Sequence, residues 1–117
     1  TIVGSSAGIS TTSSNNIMMG SFAGYSNSTG ARNVMIGSNA IKSGNTSNTV
    51  AIGSNAAINT TGEDNIFLGA FAGEANTTGE NNVVIGTNAM ISGNSSNVII
   101  KEFNIMRNKN YCTLCSM

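Results

Sequence analysis

The chain of 117 residues has no proline, no tryptophan and no histidine, and it carries only five basic and five acidic side chains. Each shortage excludes something. Without histidine there is no side chain that ordinarily titrates near neutral pH. The carboxylates Glu63, Asp64, Glu74, Glu80 and Glu102 fall mostly at turns, so an acid/base pair has little to be built from. A net charge of zero leaves no basic patch for nucleic acid or an anionic membrane. No apolar run approaches the roughly 20 residues of a membrane-spanning helix. One aspartate cannot serve calcium-binding β-rolls, which need one in each coil, and no Gly-Lys-Ser/Thr closes a phosphate loop. The expectation is a protein that is not an enzyme, needs no cofactor or metal, and has no nucleic-acid partner or membrane insertion in this segment.

What the chain does have is repetition. An apolar triplet followed by glycine recurs, with the glycines at Gly4, Gly20, Gly37, Gly53, Gly69 and Gly86. Successive spacings are 16 or 17 residues, and an alanine stands three residues after each, at Ala7, Ala23, Ala40, Ala56, Ala72 and Ala89. A longer period of 49 residues lies on top, since "GSFAGYSNSTG" from Gly20 returns as "GAFAGEANTTG" from Gly69. Fixed periods of this kind mark stacked architectures. Six coils over residues 1–100 are therefore expected, with 101–117 as a cap or tail, because Lys101 stands where the next glycine is due. Phe103, Ile105 and Met106 would cover the last coil. The polar, weakly charged composition could suit a disordered tract, but the regular triplets supply the burial that disorder lacks. The chain opens inside a coil, with "TIVG" in the place of "VMIG", which reads as a piece of a longer protein.

Each triplet reads as a short strand. Its first and third residues share one face and are expected to fill the coil. The middle residues, Met18, Met35, Ala51, Phe67, Val84 and Ile99, are then expected outside, and being apolar they call for a cover. Another copy of the chain is the simplest cover; packing by a second layer of the same chain is the alternative. Asn16, Asn33, Asn65 and Asn82, with Asn48 and Asn97 at or beside the equivalent place, are expected to stack as a ladder of side-chain amides between coils.

The "N-x-V-x-I-G-x-N-A" runs, above all "NTVAIGSNA" from Asn48, resemble the head repeats of trimeric autotransporter adhesins; similar wording occurs in fibre proteins of phages and large viruses. The resemblance implies an all-β fold, a left-handed parallel β-roll or β-solenoid assembled as a homotrimer, in an extracellular fibre at a virion or cell surface. The coils here are longer than is common in such heads, and 101–117 resembles no neck, stalk or anchor. The function implied is structural and adhesive, with the chain itself as partner and a host-surface receptor or glycan as a further one. A filament of rolls stacked end to end is the alternative. Ice binding by a Thr-rich face is a third idea, weakened because the threonines keep no fixed coil position.

Gly30, Gly44, Gly62, Gly79 and Gly93 mark a distal turn, and five Asn-x-Ser/Thr sequons begin near it at Asn27, Asn45, Asn59, Asn76 and Asn94. These are glycosylation acceptors only if the chain passes through a eukaryotic secretory route, and turn composition alone also generates them. The residues five after each glycine, Ile9, Tyr25, Lys42, Ile58, Glu74 and Ile91, share no chemistry. Tyr25, Lys42 and Glu74 are the expected outer binding positions. Cys112 and Cys115 form one "CTLC", half a zinc site with no histidine to complete it; free thiols, or interchain disulfides in a trimer, remain as readings.

Overall fold

The computed structural model describes residues 1–90 and 94–101 and shows an all-β chain wound as a parallel β-solenoid of about six turns. The strands are β1 Ile2–Val3, β2 Ile17–Met19, β3 Val34–Ile36, β4 Val50–Ile52, β5 Ile66–Leu68, β6 Val83–Ile85 and β7 Ile99–Lys101. They form a single sheet in chain order, each pairing in parallel with the next. Register is kept triplet on triplet, so Met18 faces Met35, Met35 faces Ala51 and Ala51 faces Phe67. A parallel neighbour one turn away needs no helical crossover, because the rest of the coil makes the connection.

The glycine that ends each strand has a physical reason. Gly20 and Gly37 hold φ of 131° and 134°, backbone that side chains rarely adopt. A Cβ added to Gly20 would lie 2.6 Å from the Gly37 carbonyl oxygen of the next coil. After the glycine the chain turns twice through left-handed backbone, two and four residues on, as at Asn39 (φ 61°) and Ile41 (φ 47°). The alanine between these points, as at Ala23 and Ala40, is wholly buried.

The interior is the reverse of the expected one. Met18, Met35, Ala51, Phe67 and Val84 are 0 % exposed and form the core, while Ile17, Met19, Ile52, Ile66 and Ile85 are about two-fifths exposed. A coil this narrow admits one strand side chain per turn, and the middle one is chosen because it shares a face with the residue two before it. That residue is the buried polar one: Asn16, Asn33, Thr49, Asn65 or Asn82.

At Phe67 the core is fitted by size across the coil. Phe67 is accommodated where the chain opposite has Gly73, whose added Cβ would overlap Phe67 Cδ1 and Cε1. Smaller Val84 accompanies Met90 in the following coil, and Ala51 accompanies Ala57, all of them buried.

Asparagine holds the coils to one another, but through backbone and not as an amide-to-amide stack. Asn33 Oδ1 accepts from the Thr49 amide at 2.9 Å, and Asn33 Nδ2 donates to the Thr46 carbonyl at 2.6 Å. Asn16, Asn65 and Asn82 accept in the same way from the amides of Asn33, Asn82 and Val98. Asn48 and Asn97 stand one residue earlier, in a left-handed outer column with Asn15, Arg32, Asp64 and Asn81. Interior hydroxyls add to the set, with Thr46 Oγ1 donating to Gly62 and Thr60 Oγ1 to Asn76, each at 2.6 Å.

The end of the array is shifted by one residue from the expected place. Ile99 pairs with Val83 and Lys101 with Ile85, so Lys101 is the third residue of β7 and the glycine's place falls at residue 102. Glu102, Phe103, Ile105, Met106, Cys112 and Cys115, together with Ile91 and Gly93, lie outside the described residues.

Candidate self-association and recognition surfaces

Two columns of apolar side chains run down the outer face of the sheet. The first-position column is Ile17, Val34, Val50, Ile66, Val83 and Ile99; the third-position column is Val3, Met19, Ile36, Ile52, Leu68 and Ile85. All are exposed or half-buried, Ile99 most at 64 %. β-Branched and long apolar residues suit a pleated surface, yet a parallel sheet is ordinarily covered on both faces. Of the six residues expected at an interchain contact, only Ile99 stands on this face; Met18, Met35, Ala51, Phe67 and Val84 are sealed inside one chain. Asn33 and Met35 share a face by being two apart, but only the burial of the asparagine column, seen in the wound chain, takes the middle strand residue in with it.

A second surface begins just past the strand-ending glycine. The column two residues on contains Ser6, Phe22, Asn39, Asn55, Phe71 and Asn88, all at φ between 57° and 61°. Phe22 is 36 % exposed and Phe71 half-buried. The Phe22 ring lies 5.6 Å from that of Tyr25 at an interplanar angle of 53°, and Lys42 Nζ sits 5.0 Å over the Phe22 ring. Between the two phenylalanines, Asn39 Nδ2 donates to Asn55 Oδ1 at 3.0 Å, an amide-to-amide link between coils. Tyr25 and Lys42 thus come together, while Glu74 stands beyond them on the same side in the coil of Phe71. The importance of Phe22 and Phe71 was not read from the sequence, although their recurrence 49 residues apart was visible.

The five sequons separate into three kinds. Asn27 and Asn76 are wholly buried, which corrects their reading as turn acceptors. Their positions face the interior, where Asn27 Oδ1 accepts from the Thr46 amide, while the buried Asn76 Oδ1 has no partner among the described residues. Asn45 and Asn94 are exposed but engaged. Each caps the extra residue of the preceding 17-residue coil: Asn45 Oδ1 accepts from the Thr29 and Gly30 amides, Asn94 Oδ1 from those of Thr77, Thr78 and Gly79. Asn59 is exposed and its side chain bonds to nothing among the described residues. The distal glycines Gly30, Gly44, Gly62 and Gly79 are all buried, on the inner side of that turn.

Among the described residues no three or more of His, Cys, Asp and Glu gather as a metal-binding group. No helix of the described chain is long and apolar enough to cross a membrane. Comparison with family models, curated proteins and solved structures finds no match for this chain.

Proposed function

We propose that this chain is a rod-forming segment of an extracellular fibre at a virion or cell surface. In this reading three left-handed copies pack their strand faces around a common axis, as in the trimeric adhesin heads whose repeats it resembles. The observation that carries the reading is the outer strand face, where two unbroken apolar columns from Val3 to Ile99 have none of the described residues over them. A contiguous apolar surface of this kind marks a protein contact, and a repeated stripe is matched by the same stripe on another copy. Strands stacked about 4.8 Å apart make each coil a fixed increment of rod length, so seven strands span roughly 29 Å. Rigidity comes from the coil-to-coil hydrogen bonds of the buried asparagines, and adhesion falls to the turns that packing leaves outside.

Light scattering on the purified chain tests the reading. A mass three times the 11.9 kDa of one chain is expected, and a monomer at micromolar concentration overturns it. Electron microscopy separates short rods from the alternative of long filaments built end to end.

A further inference from the structure

The column two residues past each strand-ending glycine is a place where the backbone is left-handed in every described coil. Asparagine fills it at Asn39, Asn55 and Asn88, as expected for a residue whose short side chain tolerates that conformation. Phenylalanine at Phe22 (φ 58°) and Phe71 (φ 60°) is an unfavourable choice, because a bulky side chain gains nothing locally there. Core burial does not account for it either, since Phe22 is 36 % exposed. Strained residues that packing does not require point to a surface role.

The surroundings say what kind. Three coils separate the two rings, about 14 Å at the strand spacing, so only a ligand of several units reaches both. Between them the Asn39–Asn55 link leaves Asn39 Oδ1 and Asn55 Nδ2 without a partner among the described residues. Beside this column runs a row of hydroxyls at Ser21, Ser38 and Ser54, the last two exposed. From Ser5–Ser6 to Thr87–Asn88 neither row contains a charged residue, and the cation beside them, Lys42, is engaged with its Nζ 5.0 Å over the Phe22 ring. Flat rings offer a π face to C–H groups, and amides and hydroxyls both donate and accept to alcohols; together these match a sugar chain and neither an anion nor an apolar peptide.

We propose that this face binds a neutral, extended oligosaccharide laid along the solenoid axis, with Phe71 and the side of the Phe22 ring away from Lys42 as stacking platforms and Asn39 and Asn55 as hydrogen-bonding groups between them. Tyr25 and Lys42 hold the Phe22 ring in position at one end. The inference rests on the adhesive part of the proposed function and not on its oligomeric state. Contacts of this kind are individually weak, and repetition on several copies raises the avidity.

The test compares the unmodified chain with a Phe22→Asn/Phe71→Asn variant on a printed array of neutral and anionic oligosaccharides of increasing length. The variant writes into both places the residue that the other coils already use, so it is expected to melt at the same or a higher temperature. Neutral oligosaccharides are expected to retain the unmodified chain, more strongly with length, and the variant is expected to bind at least tenfold more weakly. No binding to neutral sugars, equal binding by both proteins, or preference for anionic sugars overturns the proposal. A changed mass of the variant in light scattering also overturns it, by assigning the rings to contacts between copies. Loss of glycan binding with an unchanged trimer, or a monomer that still binds sugar, keeps the two readings distinguishable.

Discussion

Phe67 occupies space that Gly73, six residues later on the opposite wall of the same coil, leaves open. The pair shows one way this narrow interior is filled, a large side chain on the strand matched by a missing one across from it; at the equivalent places Met35 and Ile41 are both large and Ala51 and Ala57 both small, all wholly buried. Gly73 also holds a φ of 69°, so backbone and packing both demand glycine there.

Gly73→Ala is therefore expected to destabilise the solenoid by about 3 kcal/mol, combining overpacking with left-handed strain. Urea denaturation measures it. Combining the change with Phe67→Leu should recover part of the loss, and strictly additive single and double variants would show that the two residues are not coupled.

The buried asparagine column gives a second expectation. Asn33→Ala strands the Thr49 amide and the Thr46 carbonyl, both inside the coil, and is expected to cost about 2–4 kcal/mol. The matching change at exposed Asn15 strands no buried group, and its cost is expected to be about 1 kcal/mol, set by the left-handed backbone (φ 65°) that asparagine tolerates better than alanine.

Opposite faces of one strand should respond differently to charge. Met35→Asp places a carboxylate in the core and is expected to prevent folding, seen as loss of β-type circular dichroism. Ile52→Asp and Ile66→Asp place it on the outer face and are expected to leave β content intact while reducing the light-scattering mass to that of one chain. Folded oligomers surviving both outer changes would assign the contact to another surface.

Replacing Tyr25, Lys42 and Glu74 together with Ser removes the cation over Phe22, a contact of about 0.5–1 kcal/mol at exposed sites. The melting temperature is expected to move by only a few degrees and surface binding to fall sharply. Intact binding would remove these three residues from the recognition surface.

If the chain is secreted by a glycosylating host, mass spectrometry of the folded product is expected to find glycan at Asn59 and none at Asn27 or Asn76. A glycan on either buried asparagine cannot enter the coil, so chains that carry one are lost before folding. Occupied Asn27 in folded material would contradict the interior placement.

The coil period, the number of turns and the parallel stacking were all legible in the sequence, because each coil repeats one local problem with one local answer. Glycine recurs where φ is near 130° and the next coil's carbonyl approaches, and alanine recurs where the wall has no room. Asparagine before the strand recurs where a neighbouring amide needs an acceptor. Such requirements are met by single residues at fixed spacing, so the pattern of letters determines them. Which face of the strand turns inward was left open by the triplets, since all three positions of "VMI" or "IFL" are apolar and alternation has nothing to alternate with. Tertiary closure decided it: the inward asparagine takes the middle residue with it, and one coil has volume for one strand side chain. The same closure buried Asn27 and Asn76, left Asn59 exposed, and laid Lys42 of the next coil over the ring of Phe22, a contact that exists only once the chain has wound.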